Sequence, residues 1–343
     1  MSEPVVVETR GLTKRYGDFT ALEDLNIRLE RGRILGFIGP NGAGKTTTIK
    51  ILVGLAKPTA GSAVIDGVDC TRQANRIKHL VGYMPDTFGS YDNMRVREYL
   101  DFFGAAFKIP RKKRRERIEQ VMQITGSTYM KDRYVVSLSH GMKQRIGIAR
   151  TLLHDPKVLI LDEPANGLDP QARIEMREIL LHLAQMGKTL IVTSHILPEL
   201  SRICDVVAII TRGRLRAFGT LEQVMRTVTQ RRNFEVELLS ADQVQPTAEQ
   251  IRPHLEDTAE VTTSPAESMV RFSTERDDHA MAALLAALTA SGLAVVQFRE
   301  VPMDLEDAFL SVTRADADDQ STAALRAGDD DTTAATPVSG SAS

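Results

Sequence analysis

Apolar residues in the first two thirds of the chain come in short uninterrupted runs. Ile34-Leu35-Gly36-Phe37-Ile38, Val158-Leu159-Ile160-Leu161 and Thr189-Leu190-Ile191-Val192-Thr193-Ser194 have the length and continuity of strands buried on both faces. Between them lie stretches with apolar residues at helical spacing: Thr48 to Leu55, Met142 to His154 (stopped by Asp155-Pro156), and Gln171 to Met186, ending at Gly187. Strands alternating with helices predict a parallel sheet, with active groups at the carboxyl ends of its strands. Around this core, Val5 to Glu8 reads as a strand, Leu12 to Gly17 as a polar turn, and Ala63 to Ile65 as a short strand before a turn at Gly67. Asp24 to Glu30 alternates apolar and polar positions, the mark of a half-buried strand. Arg95 to Phe107 and Lys112 to Thr125 are helical in period and separated by Pro110, which predicts a helical subdomain inserted at about residues 90–133.

The pattern changes after Asn233. Phe234 to Leu239, Ser268 to Ser273 and Leu293 to Phe298 read as strands, and Asp278 to Ser291 and Asp304 to Val312 as helices. Residues 233–312 are therefore a small α+β domain of a size able to fold. From Ala315 to Ser343 there are six Asp, one Arg and no aromatic residue, the composition of a disordered acidic tail. The longest nearly apolar stretch, Met281 to Val296, is 16 residues and includes Thr289, Ser291 and Gly292. A bilayer span needs roughly 18–20, so this is read as a helix and a strand outside the membrane. Met1-Ser2-Glu3-Pro4 lacks the basic and apolar regions of a secretory signal.

Composition narrows the possibilities. A chain of 343 residues suggests about two domains. A net charge of −2, 5% aromatic residues and no Trp argue against nucleic acid as a partner. The one dense basic run, Arg111-Lys112-Lys113-Arg114-Arg115-Glu116-Arg117, is either an anionic-lipid or nucleic-acid patch or a solvated helix start. No second basic cluster or interleaved aromatic supports a patch, so the solvated start is preferred. Cys70 and Cys204 lie far apart without metal-like spacing, as in a reducing compartment without disulfides.

The chemistry begins after the first buried run. Gly39-Pro40-Asn41-Gly42-Ala43-Gly44-Lys45-Thr46-Thr47 fits G-x-x-x-x-G-K-[ST], placed between a strand and a helix as that loop requires. Glycines let backbone N–H groups approach phosphate oxygens, and the helix start adds free donors and the positive end of its dipole. Lys45 supplies a charge for the β- and γ-phosphates and Thr46 a hydroxyl for Mg²⁺. Asp162 and Glu163, directly after a buried strand, are costly there without a partner. Asp162 suits Mg²⁺, a hard cation that takes oxygen ligands, and Glu163 suits the proton of an attacking water.

Several further segments resemble one family, the ATP-binding cassette (ABC) ATPases, over about residues 5–220. Leu138-Ser139-His140-Gly141-Met142-Lys143-Gln144-Arg145 is similar to the family signature L-S-G-G-Q. Val158 to Pro164 is similar to its Walker B strand with catalytic glutamate, Asn166-Gly167-Leu168-Asp169 to its D-loop, and His195 to its switch histidine. The resemblance implies an α/β P-loop cassette, residues 1–222, with a parallel core sheet, an antiparallel β subdomain and the inserted helical subdomain. It implies Glu163 and His195 as catalytic residues, Tyr16 stacking on adenine, and nucleotide contacts from Gly39, Asn41, Gly42, Gly44, Lys45, Thr46, Thr47, Ser139 and Gly141. ATP and Mg²⁺ are the implied cofactors, with Thr46, Asp162 and possible help from Asp86 on the metal.

The chain departs from the family where Asp86, in Val81-Gly82-Tyr83-Met84-Pro85-Asp86, stands in place of the usual Gln, and where His140 and Met142 replace signature residues. Because the chain has one P-loop and one signature, the resemblance implies a head-to-tail pair of ATP-binding subunits, a homodimer or a pseudo-symmetric heterodimer. It further implies a separate transmembrane permease, contacted by the helical subdomain and the loop around Asp86, and a peripheral position on the cytoplasmic face of the cell membrane. The C-terminal domain and Pro302-Met303-Asp304-Leu305-Glu306-Asp307-Ala308-Phe309 resemble the tail of drug- and antibiotic-export cassettes. The alternatives are a soluble cassette acting on ribosomes or DNA, and a regulatory module that senses ATP without hydrolysing it. A GTPase is disfavoured because no Asn-Lys-x-Asp motif occurs.

Overall fold

The computed structural model of the protein describes residues 4–301 with 305 and 309, except 88, 90–92, 195–196, 229–231 and 257–258, and except the side chains of 226–228. It separates into two compact units, Met1–Leu221 and Glu222–Ser311.

The first unit opens with β1 (Val5–Tyr16) and β2 (Phe19–Glu30), which pair antiparallel. The polar turn expected at Leu12 to Gly17 is therefore strand as far as Tyr16. Its pairing shifts register between Thr9 and Leu12 and again by Arg15, and Gly11 sits at φ +57°. Such bulges break the two-residue period that marks a strand in sequence. Next come β3 (Ile34–Ile38), α1 (Lys45–Leu52), β4 (Ala60–Ile65) and β5 (Val68–Asp69). After these follow α2 (Ala74–Leu80), β6 (Val81–Met84), α3 (Val96–Ala106), α4 (Arg111–Ile124) and α5 (His140–Leu152). The unit closes with β7 (Val158–Asp162), α6 (Pro170–Gln185), β8 (Thr189–Thr193), α7 (Leu197–Ser201), β9 (Val206–Thr211) and β10 (Arg214–Gly219).

Two sheets result. One is antiparallel, in the order β2-β1-β4-β5; the other has six strands in the order β10-β9-β3-β8-β7-β6, parallel except for β10. Every residue of β3 and β8 is buried, as continuous apolar runs require of strands covered on both faces. Leu25, Ile27 and Leu29 of β2 join Phe37, Ile49 and Ile51 in one core. Burial of each such side chain stabilises the fold by about 1.5–3 kcal/mol. In this order β3 lies between β8 and β9, so its carboxyl end meets that of β8, with β7 one strand further on. The loop after β3 and the acids after β7 thus come to one edge.

Helices α3 and α4 pack on each other and on α5. The basic run opening α4 is not uniformly solvated. Arg114 forms a two-pronged ion pair with Asp101 of α3, at 2.6 and 3.0 Å. Arg117 donates to the carbonyls of Leu152 and Leu153 at the end of α5 and pairs with Asp155 at 2.9 Å. Arg111, Lys112, Lys113 and Arg115 stay exposed.

The second unit begins within α8 (Leu221–Val228) and continues as β11 (Arg232–Leu238), α9 (Val244–Ile251), β12 (Val261–Ser264), β13 (Met269–Thr274), α10 (Asp278–Ala290) and β14 (Val295–Val301). Its sheet runs β12-β13-β11-β14, wholly antiparallel, a β-α-β-β-α-β arrangement of the ferredoxin-like kind. One face, with Phe234, Val236, Val270 and Phe272, packs on α9 and α10 through Val244, Ile251, Leu284 and Leu288. On the other, Glu235 lies in register between Arg271 and Arg299 and pairs with both. The helix expected at 304–312 and the tail at 315–343 lie outside the described residues, apart from positions 305 and 309. Cys70 and Cys204 are free thiols.

Candidate nucleotide site at the strand ends

At the carboxyl edge of the six-stranded sheet, the loop after β3 wraps the start of α1. Gly39 is confined by packing: a Cβ there would stand 2.3 Å from the Ile210 carbonyl oxygen. Gly44 is confined twice, by φ +108° and by Leu22 and Ala21 at under 3 Å from a Cβ. The loop therefore stays close to the backbone, and its N–H groups remain reachable at the helix start.

A cavity of about 340 Å³, open to solvent, adjoins this loop. It is lined by Pro40 to Thr47 together with Phe19, Ala21, Asp86, Asp162 and Glu163. Lys45 Nζ donates to the carbonyls of Gly39 at 2.6 Å and Pro40 at 3.1 Å. Burial pushes its pKa below the usual lysine value, while Glu163 and Asp162 act in the opposite direction. Tyr83 of β6, near Asp162 but not lining the cavity, is raised to about 12 by burial and by the Asp162 charge.

The two acids are set by a residue that the sequence reading did not single out. Thr193, fully buried at the end of β8 and in register with Asp162, donates its hydroxyl to Asp162 Oδ1 at 2.6 Å. Thr193 Oγ1 in turn accepts the Glu163 N–H at 3.0 Å. Glu163 is held at φ +53°, a conformation that costs a non-glycine residue about 1–3 kcal/mol and that concentrates where geometry matters. The register of β7 against β8 is the signal for Thr193, and it is not visible before the strands are paired. Phe19, which lines the cavity opposite Tyr16 in the β1–β2 hairpin, was likewise passed over.

The remaining expected residues divide. Asn41, Gly42, Gly44, Lys45, Thr46, Thr47, Asp86, Asp162 and Glu163 line the cavity together, and Gly39 stands behind them as an acceptor of Lys45. Tyr16, 49% exposed with Lys14 Nζ 4.8 Å above its ring, stands at the hairpin next to Phe19 but does not line the cavity. Ser139 and Gly141 do not line it either. Ser139 caps α5, accepting from the Met142 N–H at a long 3.4 Å. His195 lies outside the described residues.

The cavity's donor set suits a nucleoside triphosphate and a divalent cation: free helix-start N–H groups, one ammonium, an exposed Thr46 hydroxyl and carboxylate oxygens. Residues 22–166 match the family model described as ABC transporter. The Nod factor export ATP-binding protein I of Ralstonia nicotianae is 33% identical over 309 residues, which cover 90% of this chain and 94% of that protein.

The chain belongs to the ABC transporter ATP-binding proteins.

It is thereby an ATPase of that family. The bacitracin transport ATP-binding protein of Bacillus licheniformis is 42% identical to it over 211 residues, covering 61% of this chain and 68% of that one. Among solved structures, an ATP-binding subunit of an ABC transporter aligns with a TM-score of 0.59 at 30% identity, over 65% of this ABC protein and 92% of the other chain. No helix among the described residues is long and apolar enough to cross a membrane.

Proposed function

We propose that this ABC protein is the ATP-hydrolysing subunit of a membrane exporter, working on the cytoplasmic face through a separate transmembrane partner. The observation that carries the reading is the meeting of Lys45, Asp162 and Glu163 around one cavity, with Thr193 fixing the two acids. Lys45 and the helix-start N–H groups bind the β- and γ-phosphates. Thr46 and Asp162 are the residues that would hold Mg²⁺, which supplies positive charge to the phosphate oxygens. Glu163 accepts a proton as the water oxygen bonds the γ-phosphorus and the bond to the β-phosphate bridge oxygen breaks. Tyr16 stacks on the adenine, Asp86 orients water or metal, and His195 contacts the γ-phosphate.

Ser139 and Gly141 stand outside the chain's own cavity while opening a helix with free N–H groups. That separation supports a head-to-tail pair in which each copy's signature covers the triphosphate held by the other. Export is favoured because the relatives that cover most of the chain are named for Nod factor export, and a shorter match for bacitracin transport. Nucleic acid is not a partner in this reading.

The test is ATP turnover by the full chain. Glu163→Gln should lower kcat by about 10²-fold or more, as loss of a general base does, while ATP binding persists. In that variant ATP should also drive a concentration-dependent dimer, seen by sedimentation. Equal turnover in both proteins removes Glu163 as the base; binding without turnover in either favours an ATP sensor.

A further inference from the structure

Two departures from the family pattern, His140 and Asp86, meet at one place. His140, the first residue of α5, has its Nε2 2.8 Å from the Asn166 carbonyl oxygen. A carbonyl only accepts, so Nε2 carries the proton and donates. Gln144, one turn along α5 and 2% exposed, has its amide 3.3 Å from the same nitrogen. With Nε2 protonated, that amide turns its oxygen to the ring, which gives Oε1 the partner it otherwise lacks among the described side chains. Gly167, at φ +66° and in contact range of the imidazole, lets the loop present its carbonyl to the ring.

Asn166 is the hub of the cluster. Its N–H donates to the Glu163 carbonyl at 3.1 Å, its own carbonyl accepts from His140, and its Nδ2 reaches Asp86 Oδ1 at 3.5 Å. Asp86 lines the nucleotide cavity. We propose that His140 is a positioning residue: by anchoring Asn166 it sets Asp86 and the Glu163 turn in the nucleotide cavity, and so links the signature helix of one chain to that chain's own hydrolytic site. The contact made to Asp86 thus comes from a loop amide that the signature histidine holds in place. The proposal rests on the ATPase reading above for its catalytic consequence, but not for the linkage itself.

Two measurements on the full chain test it. The first is amide exchange of the 163–169 segment without nucleotide. His140→Leu, which keeps bulk and loses the donor, should exchange faster there. His140→Gln, whose amide nitrogen falls near the position of Nε2, should restore slow exchange. The second is steady-state ATP hydrolysis. His140→Leu should lower kcat about fivefold or more, the lower end of ordinary coupling between sites, with KM for ATP little changed because the P-loop is untouched. His140→Gln should recover most of kcat, and His140→Leu with Asn166→Ala should cost no more than either alone. Unchanged exchange in His140→Leu overturns the linkage. Equal impairment of the Leu and Gln variants overturns the donor's role. If the wild type hydrolyses no ATP, the ATPase reading falls, and the exchange measurement still decides whether His140 holds the loop.

Discussion

At the scale of single residues, Thr193 is the least replaceable side chain around the cavity after the acids themselves. One hydroxyl both donates to Asp162 and accepts from the Glu163 N–H, and it is fully buried. Valine has nearly the same shape and neither function. Thr193→Val takes the acceptor from a half-buried N–H, a cost of up to about 1–3 kcal/mol, and frees a backbone turn already strained at Glu163. The expected outcome is a fall in kcat of tenfold or more with a smaller change in ATP affinity, on the scale of about 1.4 kcal/mol per factor of ten. Thr193→Ser, which keeps the hydroxyl, should retain most activity. Steady-state kinetics on the two variants check this; equal kcat in Val and Ser would show that packing alone matters at the position.

At the scale of elements, His154 joins three of them. It follows α5, stacks on Phe107 beyond α3 at 4.0 Å between ring centroids, and donates from Nε2 to the Val81 carbonyl at the start of β6, 3.0 Å away. Burial drives its pKa from the usual histidine value down to about 4, aided by the neighbouring His79 and Arg117 and opposed first by the Val81 carbonyl and then by Asp155. The folded state therefore refuses a proton that the unfolded chain accepts. Stability from this group is complete above about pH 6.5 and is lost as pH falls toward 4, by on the order of 3 kcal/mol at the limit. Urea midpoints between pH 4.5 and 8 should show this slope, and His154→Gln, which keeps a donor for Val81 and does not titrate, should flatten it. The same elements show what a linear reading can reach. Strands β3, β7 and β8 were legible because double-sided burial writes an unbroken apolar run. The P-loop, Asp162 and Glu163 were legible because they follow those runs. The end of β1 was hidden by register shifts. The short α2 and β6 were hidden because too few residues carry each period, whereas β9, an apolar run at least as long as β3, carries the same signal and was passed over. Thr193 was read as strand, yet its role arises only from the pairing of β8 with β7.

At the scale of the whole molecule, each unit closes a hydrophobic core of its own. In the second unit three phenylalanines hold the sheet to its helices: Phe234 and Phe272 stack at 5.5 Å between centroids, and Phe298 lies 5.5 and 6.3 Å from them. Phe234 and Phe272 are each 4% exposed and come from adjacent central strands, paired directly with one another. Removing one ring loses the apolar area and the ring contacts and leaves a void between the sheet and its helices. Phe272→Ala should destabilise this unit by about 3–5 kcal/mol. A sheet of four strands with two helices has little stability beyond that figure, so β11–β14 should lose amide-exchange protection as a block in the variant. The strands β3, β7 and β8, whose core contains none of these residues, should keep theirs, and ATP binding at the P-loop should survive. Loss of protection in both sets of strands at one denaturant concentration would instead mean that the chain unfolds as a single cooperative body.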